Sequence, residues 1–156
     1  MEVLAAPREA GDNQEQITLS NQYVQLIVSK NTGGYTLKTL AGDVLTKTDD
    51  NKQLLYQGSG GDSSFTTLRV DGRNYIYGSI KNGGEFLVRP YVQNNQVIST
   101  WRQDDITVTQ TLTLLTDSGE DLLGTVKAEY LIVNTGNREL QVGARMVLDT
   151  MLGAQD

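Results

Sequence analysis

The chain contains no cysteine and no histidine. Without cysteine there are no disulfides, no thiolate nucleophile and no sulfur ligand for a metal, and redox chemistry leaves the compartment open. Without histidine the commonest general base is gone, and with it the Ser-His-Asp and Cys-His nucleophile systems and every histidine-based metal site. Long apolar runs are missing too: no window approaches the roughly 20 residues a membrane-spanning helix needs, and no basic amphipathic helix pattern occurs. Positive charge is scarce and scattered. The net charge is -6, and none of the 13 Lys and Arg residues form a run, which argues against nucleic acid as a partner.

What remains is the composition of one ordinary globular domain, 156 residues with 38% hydrophobic, long enough for a core and short for two domains. The clearest pattern runs over residues 106–149. Ile106, Val108, Gln110, Leu112 and Leu114 alternate with Thr107, Thr109, Thr111 and Thr113, a period of two that puts a core row on one face of a strand and a threonine row on the other. Val126, Ala128, Tyr130 and Ile132 repeat the alternation, as do Leu140, Val142, Ala144, Met146 and Leu148. If residues 134–138 are a hairpin loop, Ile132 faces Leu140, Tyr130 faces Val142, and every apolar side chain falls on one side. Lys127 then lies opposite Arg145, with Glu129 offsetting both.

Elsewhere strand and turn signals alternate at short intervals, the spacing of a sandwich and not of βα units. Asn31 to Gly34, residues 41–43, Asp71-Gly72, Asn82 to Gly84 and Asn94-Asn95 are turn signals. Asp71-Gly72 is the strongest, because a two-residue hairpin turn needs positive φ at both positions; it predicts Leu68 opposite Tyr75 and Thr66 opposite Tyr77. Pro90 within residues 85–92 predicts an edge strand or a bulge. Residues 54–56 read as a short strand and 58–64 as a flexible glycine-rich loop; lacking a GK[ST] ending and a following helix, that loop is not a phosphate cradle. The expectation is an all-β antiparallel sandwich of about eleven or twelve strands, essentially without helix, in one domain over residues 16–156. Residues 1–15 read as a flexible lead-in. Residues 3–7 are similar to the tail of a signal cleavage site, although the basic and apolar segments before it are missing, so an ordinary terminus is the competing reading.

The run ITVTQTLTLL over residues 106–115, YLIVNTGN over 130–137 and VGARMVLDTMLG over 142–153 resemble the supersandwich, or galactose-mutarotase-like, β-domains of bacterial carbohydrate-active and extracytoplasmic proteins. NTGGYTL over 31–37 and AGDVL over 41–45 are similar to the hairpins that open such domains. The resemblance implies a sandwich in a secreted or cell-envelope protein with a glycan context. Mutarotase catalysis in that superfamily uses histidines, so its catalytic residues do not carry over. The family also tends to be larger, so the chain reads as cut from something longer.

Candidate ligand-binding residues follow from that context. Trp101 and Tyr91, with Arg89 or Arg102, are suited to an aromatic platform for a sugar ring. Trp101 is also in phase with Val97 and Ser99, which is the pattern of a core residue. The threonine row with Lys127, Glu129 and Arg145 reads either as a polysaccharide groove or as a solvated face. The acidic pairs Asp49-Asp50, Asp104-Asp105 and Glu120-Asp121 fall in turns, where adjacent side chains diverge, so no catalytic pair is assigned. Oxygen-only Ca²⁺ binding by Asp117, Glu120 and Asp121, or by Asp49, Asp50 and Asn51, is the weak cofactor candidate, without EF-hand spacing. The leading expectation is a non-catalytic carbohydrate-associated module of an exported bacterial protein. The alternatives are a fragment of a glycoside hydrolase or polysaccharide lyase and a self-associating envelope module.

Overall fold

A computed structural model describes residues 15–41, 45, 47–58, 61–115 and 124–151. The turn expected at 41–43, the strand after it and the acidic set Asp117, Glu120 and Asp121 lie wholly or largely outside these residues. The described chain is all-β, with antiparallel sheets packed as a sandwich and a single 3₁₀ turn, Lys81–Gly83.

One sheet has the order β11-β10-β9-β8 and is built from β8 (Glu85–Gln93), β9 (Gln96–Gln103), β10 (Ile106–Leu114) and β11 (Val126–Asn134). Its inner face follows the period of two. Val97, Ser99, Trp101 and Gln103 of β9 are buried, as are Ile106, Val108, Gln110, Leu112 and Leu114 of β10. Two smaller sheets cover this face side by side. The sheet β1 (Gln16–Ser20), β2 (Val24–Ser29) and β3 (Tyr35–Thr39) packs Ile17, Leu26, Val28 and Tyr35 onto Val97 and Leu112, with Val126 and Ala128 at the margin. The sheet β12 (Val142–Val147), β6 (Phe65–Val70) and β7 (Arg73–Ile76) packs Leu68 and neighbouring Tyr77 onto Trp101, Ile106 and Val108. Burying each large side chain contributes about 1.5–3 kcal/mol. The two-residue strands β4 (Gln57–Gly58) and β5 (Gly61–Asp62) pair with each other, so the glycine-rich stretch is pinned at its base. Residues 54–56 form no strand; Leu55 makes an isolated bridge to Thr150.

The Asp71-Gly72 hairpin has the expected register, Leu68 opposite Tyr75, and Tyr77 N–H donates to the Thr66 oxygen at 2.9 Å. Pro90 sits in edge strand β8 where the register shifts between Val88 and Tyr91, a bulge that spares its missing N–H.

The hairpin expected through residues 134–138 is not formed. β11 pairs with β10, and β12 pairs with β6 in the other sheet. The cause lies in the connection. Gln141 N–H donates to Asp71 Oδ1 at 2.9 Å and its oxygen accepts Asp71 N–H at 3.0 Å, so the chain is tied to the β6–β7 turn before β12 begins. Thr135 N–H meanwhile donates to the Asp105 oxygen at 2.7 Å. Lys127 therefore does not face Arg145. It pairs with Glu129 on its own strand at 2.8 Å, and Arg145 lies opposite Thr67. The expected core row of β12 is also corrected: Val142 and Met146 are each 39% exposed.

Candidate functional site

The strand register separates most of the residues singled out in the sequence. Trp101 is fully buried, in tilted contact with the Tyr77 ring at a centroid distance of 5.7 Å, and its Nε1 donates to the Ser79 oxygen at 3.0 Å. It offers no ring face to a ligand arriving from solvent. Arg102 points the other way, paired with Glu85 across the β8–β9 ladder. Tyr91 and Glu129 share the outer face of the four-stranded sheet, in a row that runs Glu129, Thr111, Ile98, Tyr91. Arg102 lies two rows along the same face, beside Thr107. Arg89 sits in the β8 bulge with Nη1 3.5 Å from the Lys30 oxygen. Arg145 belongs to the other sheet. The structure thus gathers Tyr91, Arg102 and Glu129 on one surface and leaves Trp101, Arg89 and Arg145 apart from it. On that surface Thr100 Oγ1 and Thr109 Oγ1 hydrogen-bond across the strands at 3.0 Å.

A different set of residues encloses space. At one end of the sandwich the β6–β7 turn, the β9–β10 turn and the β11–β12 connection converge around a cavity of about 320 Å³, within the range of small-ligand sites. Asp71, Arg73 and Tyr75 line it from the first turn, Gln103, Asp104 and Asp105 from the second, Arg138 and Leu140 from the third. Arg73, Tyr75 and Asp104 also border an adjoining depression of about 510 Å³ that reaches Asn74 and Asn82. Tyr75 is the hub. Half-buried, it packs one side against the core cluster of Leu68 and Trp101, and its hydroxyl lies 3.5 Å from Asp104 Oδ2.

Local backbone geometry fixes this rim. Asp71, Asn82 and Asp104 have φ of 46°, 56° and 51°, the left-handed region that Asn and Asp tolerate best after glycine. Gly136 passes so close to Asp105 that a Cβ there would lie 2.6 Å from the carboxylate. Arg138 Nη1 pairs with Asp71 Oδ2 at 2.5 Å. The Gln141 backbone N–H and the Arg138 guanidinium together hold the Asp71 carboxyl below the usual carboxylate range. That is the wrong direction for a general acid. Gln103, only 3% exposed, also borders the cavity; its Nε2 donates to the Asn82 oxygen at 2.7 Å, whereas its Oε1, without a partner among the described residues, is buried against Gly84.

Sequence reading identified each of these turns but not their convergence, since topology brings residues some 70 positions apart into contact. The sign that was available is the repeat of Asp-initiated tight turns, Asp71-Gly72 and Asp104-Asp105, next to aromatic Tyr75. Among the described residues no three acidic side chains gather as metal donors, and Asp49, Asp50 and Asn51 occupy a turn whose Asp49 oxygen accepts the Thr39 hydroxyl. No family model, no curated protein and no solved structure matches the chain.

Proposed function

We propose that the chain is a non-catalytic carbohydrate-associated β-sandwich module that binds glycan in the Tyr75 cleft. The observation that carries this reading is the cavity of about 320 Å³ in which the half-buried Tyr75 ring stands beside Arg73, Asp104 and Asp105. A pyranose has an apolar C–H face to set against the Tyr75 ring. Asp104, Asp105, Arg73 and Asn74 add the planar acceptors and donors that hydroxyl arrays require. The pattern resemblance to supersandwich domains supports the same glycan context and an exported bacterial source.

Calorimetric titration with a panel of soluble plant and microbial polysaccharides tests this. At least one should bind with affinity unchanged by chelator and reduced about tenfold or more by Tyr75→Ala, a loss on the order of 1.4 kcal/mol. Equal affinity of the Tyr75→Ala chain, or no binding by any glycan at millimolar site concentration, would overturn the proposal.

A second reading has its own observation. Strand β11 is a sheet edge, with Leu131 65% and Val133 43% exposed, and β12 is an edge with Val142 and Met146 exposed. Such edges suit self-association. Sedimentation equilibrium showing assembly that Leu131→Lys abolishes would favour this envelope-module reading.

A further inference from the structure

A second cavity, of about 240 Å³, opens where the three sheets meet. Tyr35 of β3, Phe65 and Thr66 of β6, Tyr77, Gln110 of β10 and Tyr130 of β11 form its wall, and no charged side chain lines it. Phe65 and Ile76 stand at its mouth, 37% and 49% exposed. The interior rings meet edge to face, Tyr77 and Tyr130 with centroids 5.9 Å apart at 82°. Burial pushes the Tyr35 and Tyr77 phenols up to about 12 and raises Tyr130, so the wall stays neutral at physiological pH.

The hydrogen bonds inside leave donors over. Thr66 Oγ1 and Gln110 Nε2 both donate to the Tyr130 oxygen, at 2.8 and 2.9 Å. A phenol carries one proton of its own, and neither neighbour uses it. The Tyr35 hydroxyl donates to Met146 Sδ at 3.4 Å, a weak acceptor that a ligand oxygen readily displaces. Tyr77 is satisfied by the Ser99 oxygen and hydroxyl at 3.1 and 2.8 Å. The cavity therefore offers spare O–H donors and aromatic surface, while the Tyr130 oxygen is already twice engaged. That balance disfavours a sugar, which brings many donors of its own. It disfavours an ion, which would find no counter-charge to offset its desolvation.

We propose that this cavity binds an uncharged ring compound that carries an acceptor oxygen and few donors, of the neutral aryl ester or ketone class. The ring lies among Tyr35, Phe65 and Tyr130, and the acceptor oxygen takes the free Tyr130 proton. This site is separate from the Tyr75 cleft and does not depend on glycan binding there.

Methyl benzoate is the probe and benzoate its charged counterpart. In an NMR titration at neutral pH, methyl benzoate should shift Thr66, Gln110 and Tyr130 resonances saturably, with benzoate weaker by about tenfold or more. Tyr130→Phe, which keeps the ring and removes the proton, should weaken methyl benzoate by a similar factor. Ile76→Glu at the exposed mouth, where the fold tolerates charge, should weaken it as well and serves if the first variant unfolds. Tyr75→Ala should leave it unchanged. Equal binding of ester and carboxylate, equal binding by Tyr130→Phe and Ile76→Glu, or no saturable shift would overturn the assignment.

Discussion

The Trp101 indole donates its Nε1 hydrogen to the Ser79 backbone oxygen at 3.0 Å, and this bond fastens the segment between β7 and β8 to the inner face of the main sheet. The only tryptophan is thus spent on holding the fold, with zero exposure and the Tyr77 ring tilted against it. Trp101→Ala should destabilise by about 3–5 kcal/mol, the usual range for an emptied aromatic site. Urea denaturation measures the loss, and iodide should quench the native fluorescence poorly. A midpoint within error of the parent would mean that the indole is not core.

The same segment makes a sharp contrast between neighbouring glycines. A Cβ at Gly84 would lie 2.1 Å from the Ser79 oxygen and 2.9 Å from Trp101, whereas at Gly83 it meets nothing within 4 Å. Gly83→Ala should cost only the left-handed backbone penalty, about 1–2 kcal/mol at φ +86°. Gly84→Ala should cost distinctly more. Thermal unfolding of the two variants ranks them, and the reverse order would contradict the packing.

On the outer face charge matters little. Lys127 and Glu129 are each about half exposed, so Glu129→Ala should change stability by no more than about 1 kcal/mol. Leu112→Ala, at a fully buried position, should cost about 2–5 kcal/mol. Comparable losses in a denaturant series would show that the faces of the main sheet are reversed.

Alkaline pH should unfold the domain through its buried phenols. Tyr35 and Tyr77 are pushed by burial from 10.0 to about 12. Below about pH 10 the phenols are protonated in both states, so their contribution to stability is fully present. Between about 10 and 12 the unfolded chain loses protons that the folded chain keeps, so stability falls with rising pH and the contribution is gone above about 12. Absorbance titration should show part of the tyrosine signal appearing late, together with loss of the β spectrum. All seven tyrosines ionising in one step near 10, with the fold intact, would contradict this.

How much of this was legible in the sequence depended on range. The alternation in β10 identified its buried face, and Asp71-Gly72 set the Leu68–Tyr75 register, because both depend on neighbours or on a two-residue turn. The partner of β12 was not legible. Alternation says which side of a strand is apolar and is silent on which sheet receives it; the deciding contacts, Gln141 with Asp71 and Thr135 with Asp105, are long-range backbone bonds. The cleft was missed for the same reason. Its walls are three turns far apart in the chain, while Trp101, Tyr91 and Arg89 drew attention by being close in sequence and prove to be divided by the strand pleat and the β8 bulge.

The proposal that glycan binds in the turn-lined cleft around Tyr75 and not on the threonine face is tested most directly by amide chemical-shift mapping with a glycan identified in the calorimetric panel. The account predicts shifts concentrated at Asp71, Gly72, Tyr75, Asp104, Asp105 and Arg138, with the outer face unmoved. Shifts centred instead on Thr107, Thr109, Thr111, Tyr91 and Glu129 would contradict it.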